Sequence, residues 1–256
     1  MIKLILCGCN GYMGRVVTDL VSEDTKIEKD TQIEIVAGID VDTQQHSKYP
    51  VYTDPKDFTG DADVVLDFSN PSALEGLIDY CTAKKIPLIL CATGYSPEQL
   101  KDIEKASGQI PVFRSGNMSL GINLLIDLIE RACAVLGEDF DVEIVERHHR
   151  RKVDAPSGTA IMLADAAAGA LPNKPDYVFE RESTRNPRSK NEIGISAVRG
   201  GTIIGMHNAI FAGQDEVIEL SHTAASRDVF ATGAIKAVRF IVKKPAGMYN
   251  MKDVLC

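Results

Sequence analysis

The sequence has no long hydrophobic run, no paired-cysteine motif and no excess of basic residues. A membrane-spanning helix needs roughly 18 consecutive apolar residues, and because no run comes near that length we expect no membrane partner. The six cysteines form no Cys-x-x-Cys pair and no spacing typical of a metal site, which favours free thiols in a reducing, cytoplasmic compartment. A formal net charge of −8 argues against nucleic acid as a partner, because phosphate binding requires a basic face.

What is present is the composition of a globular protein, with 45% hydrophobic and 25% charged residues over 256 positions. That length suffices for one large domain or two modest ones, each with its own core. The apolar start, MIKLILC, turns directly into a glycine loop, so we expect a first β-strand there and not a signal peptide.

The first half of the chain alternates short apolar runs with helical stretches. Strands are predicted at Ile2–Cys7, Ile33–Ile39, Asp63–Phe68, Pro87–Cys91 and Pro111–Arg114, and helices at Tyr12–Ser22, Ser72–Lys84 and Pro97–Gln109. Continuous apolar strands separated by helices are typical of a parallel sheet that is covered on both faces. The sequence therefore predicts a doubly wound, Rossmann-like α/β fold.

After Asn117 the pattern becomes that of an α+β domain. Helices are predicted at Leu120–Leu136 and at Ser157–Ala170 with Ser157 as N-cap, strands at Asp141–Arg147, Ile193–Arg199, Thr202–Ala212 and Glu216–Thr223, and a polar loop or flap at Leu171–Glu192. We expect the last three strands to be consecutive in a mostly antiparallel sheet. A closing helix, Asp228–Val242, is expected to pack back on the first domain. The predicted domains are thus 1–118 plus 228–256, and 119–227.

A glycine loop lies between the first strand and the first helix. Gly8, Gly11 and Gly14 are spaced G-x-x-G-x-x-G, with Asn10 at the middle glycine of the stricter G-x-G-x-x-G pattern. Glycines permit a tight turn and let the backbone approach a pyrophosphate at the helix N-terminus. A plain tight turn is the alternative, but the strand–turn–helix setting favours a dinucleotide site.

Other strand ends carry residues that suit the same ligand. Asp40 follows the second strand, where a carboxylate binds the adenosine ribose, although a turn residue is the alternative. Val41 stands where an arginine would hold a 2′-phosphate, which favours NADH over NADPH. Small-residue loops follow the next strands, and we expect Thr93 and Gly94 to lie along the nicotinamide half. Together these loops predict one crevice at the carboxyl edge of the sheet.

The segment Val145–Thr159, VERHHRRKVDAPSGT, concentrates positive charge in an acidic protein. Histidine is the usual donor of a proton that accompanies a hydride, because its pKa lies near neutral pH. His148 and His149 are the candidates, and their side chains point in opposite directions if the strand continues. Lys152 can be a second proton donor or a carboxylate clamp.

The same segment predicts an anion site. A helix start at Ser157-Gly158-Thr159 offers N–H groups and hydroxyls to a carboxylate. We therefore expect a small dianionic substrate with a reducible C=N or C=C bond, the alternative being a basic surface loop before a helix N-cap. His46, His207 and His222 lack charged neighbours in the sequence and are expected to be structural. Three arginines receive no role: Arg147, Arg150 and Arg151.

These residues carry a family resemblance. Glu146 to Ala160 matches, without a gap, the motif E-x-H-H-x-x-K-x-D-A-P-S-G-T-A of the 4-hydroxy-tetrahydrodipicolinate reductases of lysine and diaminopimelate biosynthesis, also called dihydrodipicolinate reductases. Further matches are GCNGYMGR, CATG, SGNMSLGIN, the VRGG turn at 198–201 and SRDVFATGA. The chain thus resembles this family over nearly its whole length.

The resemblance implies hydride transfer from NADH or NADPH to the cyclic imine derived from (2S,4S)-4-hydroxy-2,3,4,5-tetrahydrodipicolinate, giving tetrahydrodipicolinate with loss of water. It implies that His148 is the proton donor and acceptor, that Lys152 is a proton donor, and that His149, Gly158 and Thr159 bind substrate carboxylates, to which the residues themselves add Ser157. The implied cofactor contacts are Gly8, Cys9, Asn10, Gly11, Tyr12, Met13, Asp40, Ala92, Thr93, Gly94, Gly116, Asn117, Met118 and Ser119.

The resemblance also assigns the domains. Residues 1–118 plus 228–256 would bind the dinucleotide, and 119–227 would bind substrate and form a homotetramer through its sheet. The chain departs from the family at Asp40-Val41, where many members have an acidic residue followed by arginine. That departure puts tight recognition of a 2′-phosphate in doubt.

Two other functions are weighed on the residues. Another NAD(P)-dependent dehydrogenase of a small acid, of the aspartate-semialdehyde or homoserine type, would share the glycine loop. The first of these needs a nucleophilic cysteine in a polar loop, and Cys91 at the end of an apolar strand suits that poorly. A non-catalytic nicotinamide-binding sensor predicts an incomplete set of proton donors, whereas His148 and Lys152 are both present.

Overall fold

The structure, a computed structural model, describes residues 1–23, 31–183 and 185–255. They form two units, one from Met1–Leu120 and Asp228–Cys256 and the other from Gly121–Arg227. Among the described residues, no helix combines the length and apolar character needed to cross a membrane.

The first unit is built on a seven-stranded sheet in which every neighbouring pair is parallel. Its strands are β1 (Ile2–Cys7), β2 (Ile33–Ile39), β3 (Val51–Tyr52), β4 (Val64–Asp67), β5 (Leu88–Leu90), β6 (Pro111–Arg114) and β12 (Gly247–Tyr249), in the order β12-β6-β5-β4-β1-β2-β3. Its helices are α1 (Tyr12–Glu23), α2 (Leu74–Lys84), α3 (Pro97–Ser107), α6 (Asp228–Ile241) and α7 (Met251–Leu255).

β1 shows why this sheet forms. Leu4 and Leu6 point into one hydrophobic core, which they share with residues of α1 and α6. Ile5 and Cys7 point into a second core, which they share with residues of α2 and α3. Successive side chains of a strand alternate between its faces, so both sets must be apolar when helices cover both faces. All the strands run in one direction, and their carboxyl ends therefore lie along one edge.

The second unit has a five-stranded sheet with one buried face. Its strands are β7 (Asp141–His148), β8 (Asp176–Val178), β9 (Glu192–Arg199), β10 (Gly205–Ala212) and β11 (Val217–Ala224), in the order β11-β10-β7-β9-β8, and its helices are α4 (Leu120–Leu136) and α5 (Gly158–Ala170). Val142 and Ile144 of β7 pack with both helices, whereas Asp141, Glu143, Val145 and Arg147 alternate with them and are only half-buried.

The predicted fold class is confirmed, and several details differ. β10 pairs antiparallel with β7 and β11, but β9 pairs parallel with β7 and β8, so the second sheet is mixed. The expectation that β9 lies next to β10 is wrong, because β7 lies between them. A short strand, β8, lies within the predicted flap, and β3, β12 and α7 were not predicted. These four elements span two to five residues, too few to show a period, and they lack the longer apolar run that led to the prediction of the equally short β5.

Candidate functional site

The glycine loop packs so closely that two of its glycines exclude any side chain. A Cβ at Gly8 would lie 2.7 Å from the carbonyl oxygen of Phe68, and Gly8 has a positive φ of 73°. A Cβ at Gly14 would lie 2.2 Å from the carbonyl oxygen of Gly8. Gly11 differs, because its Cβ would contact only that same oxygen, at 3.2 Å, and the residue is exposed. The loop is therefore tight against the sheet and open at Gly11.

Asp40 and Asn10 join the second strand end to this loop. The backbone N–H of Asn10 donates to Asp40 Oδ2 at 2.9 Å, and the side-chain amide of Asn10 donates to the carbonyl oxygens of Asp42 and Gln44 at 2.6 and 2.9 Å. Asn10 thus takes the place of the middle glycine and braces the loop that follows β2. These bonds fix the Asp40 carboxylate relative to the backbone of the glycine loop.

A cavity of about 580 Å³ lies beside the loop within the first unit. Four of the predicted cofactor contacts line it, namely Gly8, Asn10, Gly11 and Asp40. Three carboxylates line it as well, those of Asp40, Asp42 and Asp54, and the described lining residues include no lysine, arginine or histidine. The cavity is therefore acidic at the end that Asp40 occupies.

The remaining predicted cofactor contacts in the glycine loop differ in how far their side chains are exposed to solvent. Cys9 is buried against Gly38 and Tyr49, and burial raises the pKa of its thiol to about 11. Met13 packs on the core, whereas Tyr12 is exposed. Cys9 and Met13 are thus available to a ligand mainly through their backbone.

The other predicted contacts follow β5 and β6. Thr93 and Gly94 are exposed, Ala92 is half-buried, and a Cβ at Gly94 would meet no atom within 4 Å. Asn117, Met118 and Ser119 are buried, Gly116 is exposed, and Asn117 Oδ1 accepts the N–H of Ser119 at 2.8 Å. Since the sheet is parallel, both loops lie along the same edge as the glycine loop.

Asp67 shapes the loop that follows β4. Its carboxylate is fully buried and accepts the N–H of Ser69 at 2.9 Å together with the Ser69 hydroxyl. Burial raises the pKa of Asp67, against the opposing effect of the bonds from Ser69. These bonds fix the turn at Phe68, the residue against which Gly8 packs.

Glu146 is the centre of the polar cluster in the second unit. Its side chain is fully buried; Oε1 accepts the N–H of Ser157 at 3.0 Å, and Oε2 is bonded to His148 Nδ1 at 2.6 Å. Arg199 donates to both oxygens at 2.7 Å. We call Glu146, His148, Ser157 and Arg199 the Glu146 cluster. Burial would raise the pKa of Glu146, but the hydrogen bonds from Arg199, His148 and Ser157 together lower it.

His207 packs against this cluster. Its ring lies edge-on to that of His148, and its Nε2 is 3.1 Å from Ser157 Oγ. Burial, and then the charge of His148, lower the pKa of His207 to about 4, so its ring is neutral at neutral pH. His207 has no charged neighbours in the sequence, but the fold places it next to His148 and Ser157.

His149 and Lys152 lie in the turn after β7, which ends at His148. The N–H of Lys152 donates to the carbonyl oxygen of His149 at 3.1 Å, and Lys152 Nζ lies 2.8 Å from Asp154 Oδ1. Burial and the charges of Arg151 and Arg227 lower the pKa of His149. The two residues therefore lie next to each other in one turn.

The helix start behind this turn has the predicted form. Ser157 is the N-cap of α5, and its hydroxyl accepts the N–H of Ala160 at 3.2 Å. Gly158 is exposed and Thr159 half-buried, and no acidic residue occupies the first turn. A Cβ at Gly158 would meet no atom within 4 Å. The N-terminus of a helix arranged in this way suits an anion.

The cationic segment is divided between two faces. Arg147 alternates with the buried Glu146 and His148, and its guanidinium donates to Asn208 Oδ1 at 2.7 Å. Arg150 and Arg151 are exposed in the turn. Arg147 therefore lies on the other side of the sheet from His148, and only part of the predicted charge cluster surrounds the histidines.

Three residues of this site were not predicted: Glu146, Arg199 and His207. Glu146 precedes His148 by two positions on one strand, so the two share a face, and this signal was available in the sequence. Arg199 stands opposite His148 on β9, and His207 stands opposite Glu146 on β10. Those pairings depend on sheet register, which the sequence does not show. Within the described residues, no group of three or more His, Cys, Asp or Glu could hold a metal ion.

Comparison with known proteins finds relatives along the whole chain. Residues 2–118 match the family model described as "Dihydrodipicolinate reductase, N-terminus", and residues 121–255 match the one described as "Dihydrodipicolinate reductase, C-terminus". The 4-hydroxy-tetrahydrodipicolinate reductases of Clostridium tetani and Caldanaerobacter subterraneus are each 51% identical over 255 residues, covering 100% of this chain and 97% and 98% of those proteins.

Solved structures share the fold. A dipicolinate-bound dihydrodipicolinate reductase from Paenisporosarcina sp. TG-14 has a TM-score of 0.77 at 24% identity, with 98% of this chain and 97% of that chain covered. A myo-inositol 2-dehydrogenase from Lactobacillus plantarum has a TM-score of 0.62 at 12% identity, covering 99% and 93%. With both halves matched and half of all positions identical to those of named reductases, this chain belongs to the dihydrodipicolinate reductase family.

Proposed function

We propose that the protein is a 4-hydroxy-tetrahydrodipicolinate reductase, which reduces the cyclic imine formed from its substrate to tetrahydrodipicolinate with loss of water. One observation carries the proposal. In the family's long central motif, the imidazole of His148 is buried and hydrogen-bonded to the Glu146 carboxylate. The same carboxylate accepts the N–H of Ser157 at the start of α5. An acid next to an anion site is what reduction of a small dianion requires.

The first unit suits a dinucleotide. Gly11 is exposed with little around its Cβ position, and Gly94 has open space at its own, so a ligand can approach the backbone closely at both loops. We assign the cofactor contacts predicted above to this edge, with Asp40 on the adenosine ribose. When bound, NADH or NADPH supplies the hydride.

The second unit suits the substrate. We assign proton donation and acceptance to the His148 imidazole and a second proton donation to Lys152, which Asp154 holds at 2.8 Å. His149, Ser157, Gly158 and Thr159 bind the carboxylates, with N–H groups at the start of α5 as donors. His149 carries a lowered pKa and is suited to hydrogen bonding as a neutral ring.

We further propose that NADH is the preferred reductant. The cavity beside Asp40 is lined by three carboxylates, and no cationic side chain is among its described lining residues. Val41 is 97% exposed, and its side chain offers a 2′-phosphate neither charge nor a hydrogen-bond donor. A phosphate dianion beside these carboxylates would be repelled, whereas a ribose hydroxyl can donate to Asp40.

The properties of Cys91 argue against the alternative of an aspartate-semialdehyde-type dehydrogenase. Burial, and then the charge of Asp67, raise the pKa of its thiol well above the ordinary value, which disfavours the nucleophilic thiolate.

Two further expectations stay predictions. One is a homotetramer formed through the half-buried face of the second sheet, and the other is a location in the cytoplasm.

The deciding experiment is a coupled assay. Pyruvate and aspartate semialdehyde are condensed by purified synthase, and loss of absorbance of NADH or NADPH is followed after this protein is added. Oxidation that depends on both the synthase and this protein is expected, with NADH faster. Absence of oxidation with either cofactor would remove the assignment. Oxidation of NADH or NADPH with aspartate semialdehyde alone, without synthase, would favour the homoserine type, because reduction of the aldehyde to an alcohol consumes the hydride.

A further inference from the structure

Glu146 is absent from the roles assigned above, yet four donors surround its two oxygens. His148 Nδ1 and Arg199 Nη1 lie 2.6 and 2.7 Å from Oε2, and the Ser157 N–H and Arg199 Nη2 lie 3.0 and 2.7 Å from Oε1. The side chain is fully buried. A carboxylate in this setting is ionised, because every partner favours the charged form.

We propose that Glu146 is a positioning residue, which fixes the His148 ring in the tautomer that carries its hydrogen on Nδ1 and so reserves Nε2 for proton transfer. An ionised carboxylate can only accept, so the bond from His148 requires a hydrogen on Nδ1. The neutral ring then accepts at Nε2, and the protonated ring donates there. The proposal rests on the proposed function for its kinetic consequences, but the tautomer can be measured independently.

The surroundings of Nε2 agree with this assignment. The residue beside it on β10 is Gly205, and a Cβ there would lie 3.2 Å from Nε2. Any other residue would crowd the atom that exchanges the proton. His207, edge-on to the same ring, is neutral and adds no positive charge next to it.

Arg199 completes the arrangement. Its guanidinium bonds to both Glu146 oxygens, and Nη2 also donates to the carbonyl oxygen of Asp154 at 2.7 Å. Glu146 therefore holds three separate segments together: the end of β7, the end of β9 and the start of α5. The imidazole and the anion-binding helix start are thus fixed relative to each other through one carboxylate.

The first test measures the tautomer in the wild-type protein. Protein labelled with ¹⁵N-histidine is examined as a sediment by magic-angle-spinning NMR at pH 8, and the His148 signals are identified by their loss in His148→Gln. Signals of an Nδ1–H imidazole support the proposal. Signals of an Nε2–H imidazole at His148 overturn it, whether or not the protein turns over substrate.

The second test is kinetic. Glu146→Gln removes the charge and places an amide N–H₂ against one of the donors, so kcat is expected to fall at least about 10-fold with KM changed less than about 3-fold. The matched control is Glu143→Gln on the same strand, because Glu143 also pairs with arginines, Arg181 and Arg188, but on the opposite face. It is expected to keep wild-type kcat. An equal loss in both variants, or wild-type kcat in Glu146→Gln, would overturn the positioning role.

Glu146→Gln leaves Arg199 with a mostly buried charge that has lost its carboxylate partner, and this can prevent folding. The double variant Glu146→Gln with Arg199→Gln removes both charges. A folded double variant with reduced kcat supports the proposal, and one with wild-type kcat refutes it. An inactive wild-type enzyme in the coupled assay would refute the proposed function instead, and the NMR measurement would still decide the tautomer.

Discussion

His207 lies edge-on to His148, with ring centroids 5.2 Å apart and ring planes at 73°. The His207 ring is buried and hydrogen-bonded to Ser157, the N-cap of α5, while the His148 ring is hydrogen-bonded to Glu146. Two imidazoles in contact cannot both be protonated without cost. The pair therefore links the site to the pH dependence of folding.

The first prediction concerns acid stability. The pKa of His207 is lowered from 6.5 to about 4, so below pH 6.5 the unfolded chain binds more protons than the folded one. Stability is thus complete above pH 6.5 and is lost as pH falls towards 4, by about 1.4 kcal/mol per pH unit from this residue. His207→Gln keeps an amide near Ser157 and cannot titrate. In urea unfolding at pH 7.5 and 5.5, it should lose about 1 kcal/mol less stability than wild type.

The control for this measurement is His46→Gln, at an exposed loop position. It should follow the wild-type pH dependence. If His207→Gln and His46→Gln lose the same stability as wild type between the two pH values, His207 does not resist protonation in the folded protein.

The second prediction concerns catalysis by His148. Replacement of the imidazole by an amide, His148→Gln, removes the group to which we assign proton donation but keeps a polar side chain of similar reach. We expect kcat to fall by roughly 100-fold or more with a modest change in KM. Steady-state kinetics in the coupled assay measure both, with His46→Gln as control. A wild-type rate in His148→Gln would assign the proton transfer to another residue.

The third prediction concerns cofactor choice. Val41→Arg adds a cation at a position that is 97% exposed, so the substitution should be tolerated. It should raise kcat/KM for NADPH by about 10-fold, which corresponds to about 1.4 kcal/mol, with little effect on NADH. Val41→Met is the matched control, because it adds similar length without charge. A wild-type enzyme that prefers NADPH, or equal effects of both variants, would contradict the assignment at Asp40-Val41.

The fourth prediction tests the proposal that Gly158 contacts the substrate, with another glycine of the same helix for comparison. Gly158 and Gly169 both lie in α5, both are exposed, and a Cβ at either would meet no atom within 4 Å. Gly158→Ala should raise the substrate KM by about 10-fold or more without loss of stability, because the methyl group occupies space that a carboxylate needs.

Gly169→Ala should leave KM unchanged and stabilise the protein by about 0.5–1 kcal/mol, since alanine restricts the unfolded chain. Kinetics and thermal unfolding are compared for the two variants. An unchanged substrate KM in Gly158→Ala would mean that the helix start does not contact the substrate.

Local pattern alone predicted most of the secondary structure. β1, β2, β6 and α4 have the bounds expected from the sequence, since apolar runs and helix periodicity are encoded by consecutive residues. Ser157 was predicted as N-cap because capping depends on the side chain at that position and its own backbone. β3, β8 and β12 were not predicted because two or three residues show no period, whereas the equally short β5 was predicted from the longer apolar run around it.

The sequence by itself determined the fold class, the glycine loop and the motif that holds His148 and Lys152. Only the tertiary structure decided which side chains surround them. It placed Arg199 and His207 on the two strands that flank β7, and it set Arg147 against Asn208 on the opposite face. The physical reason is register, because pairing between strands far apart in the sequence is chosen by the packing of the whole sheet and leaves no local signal.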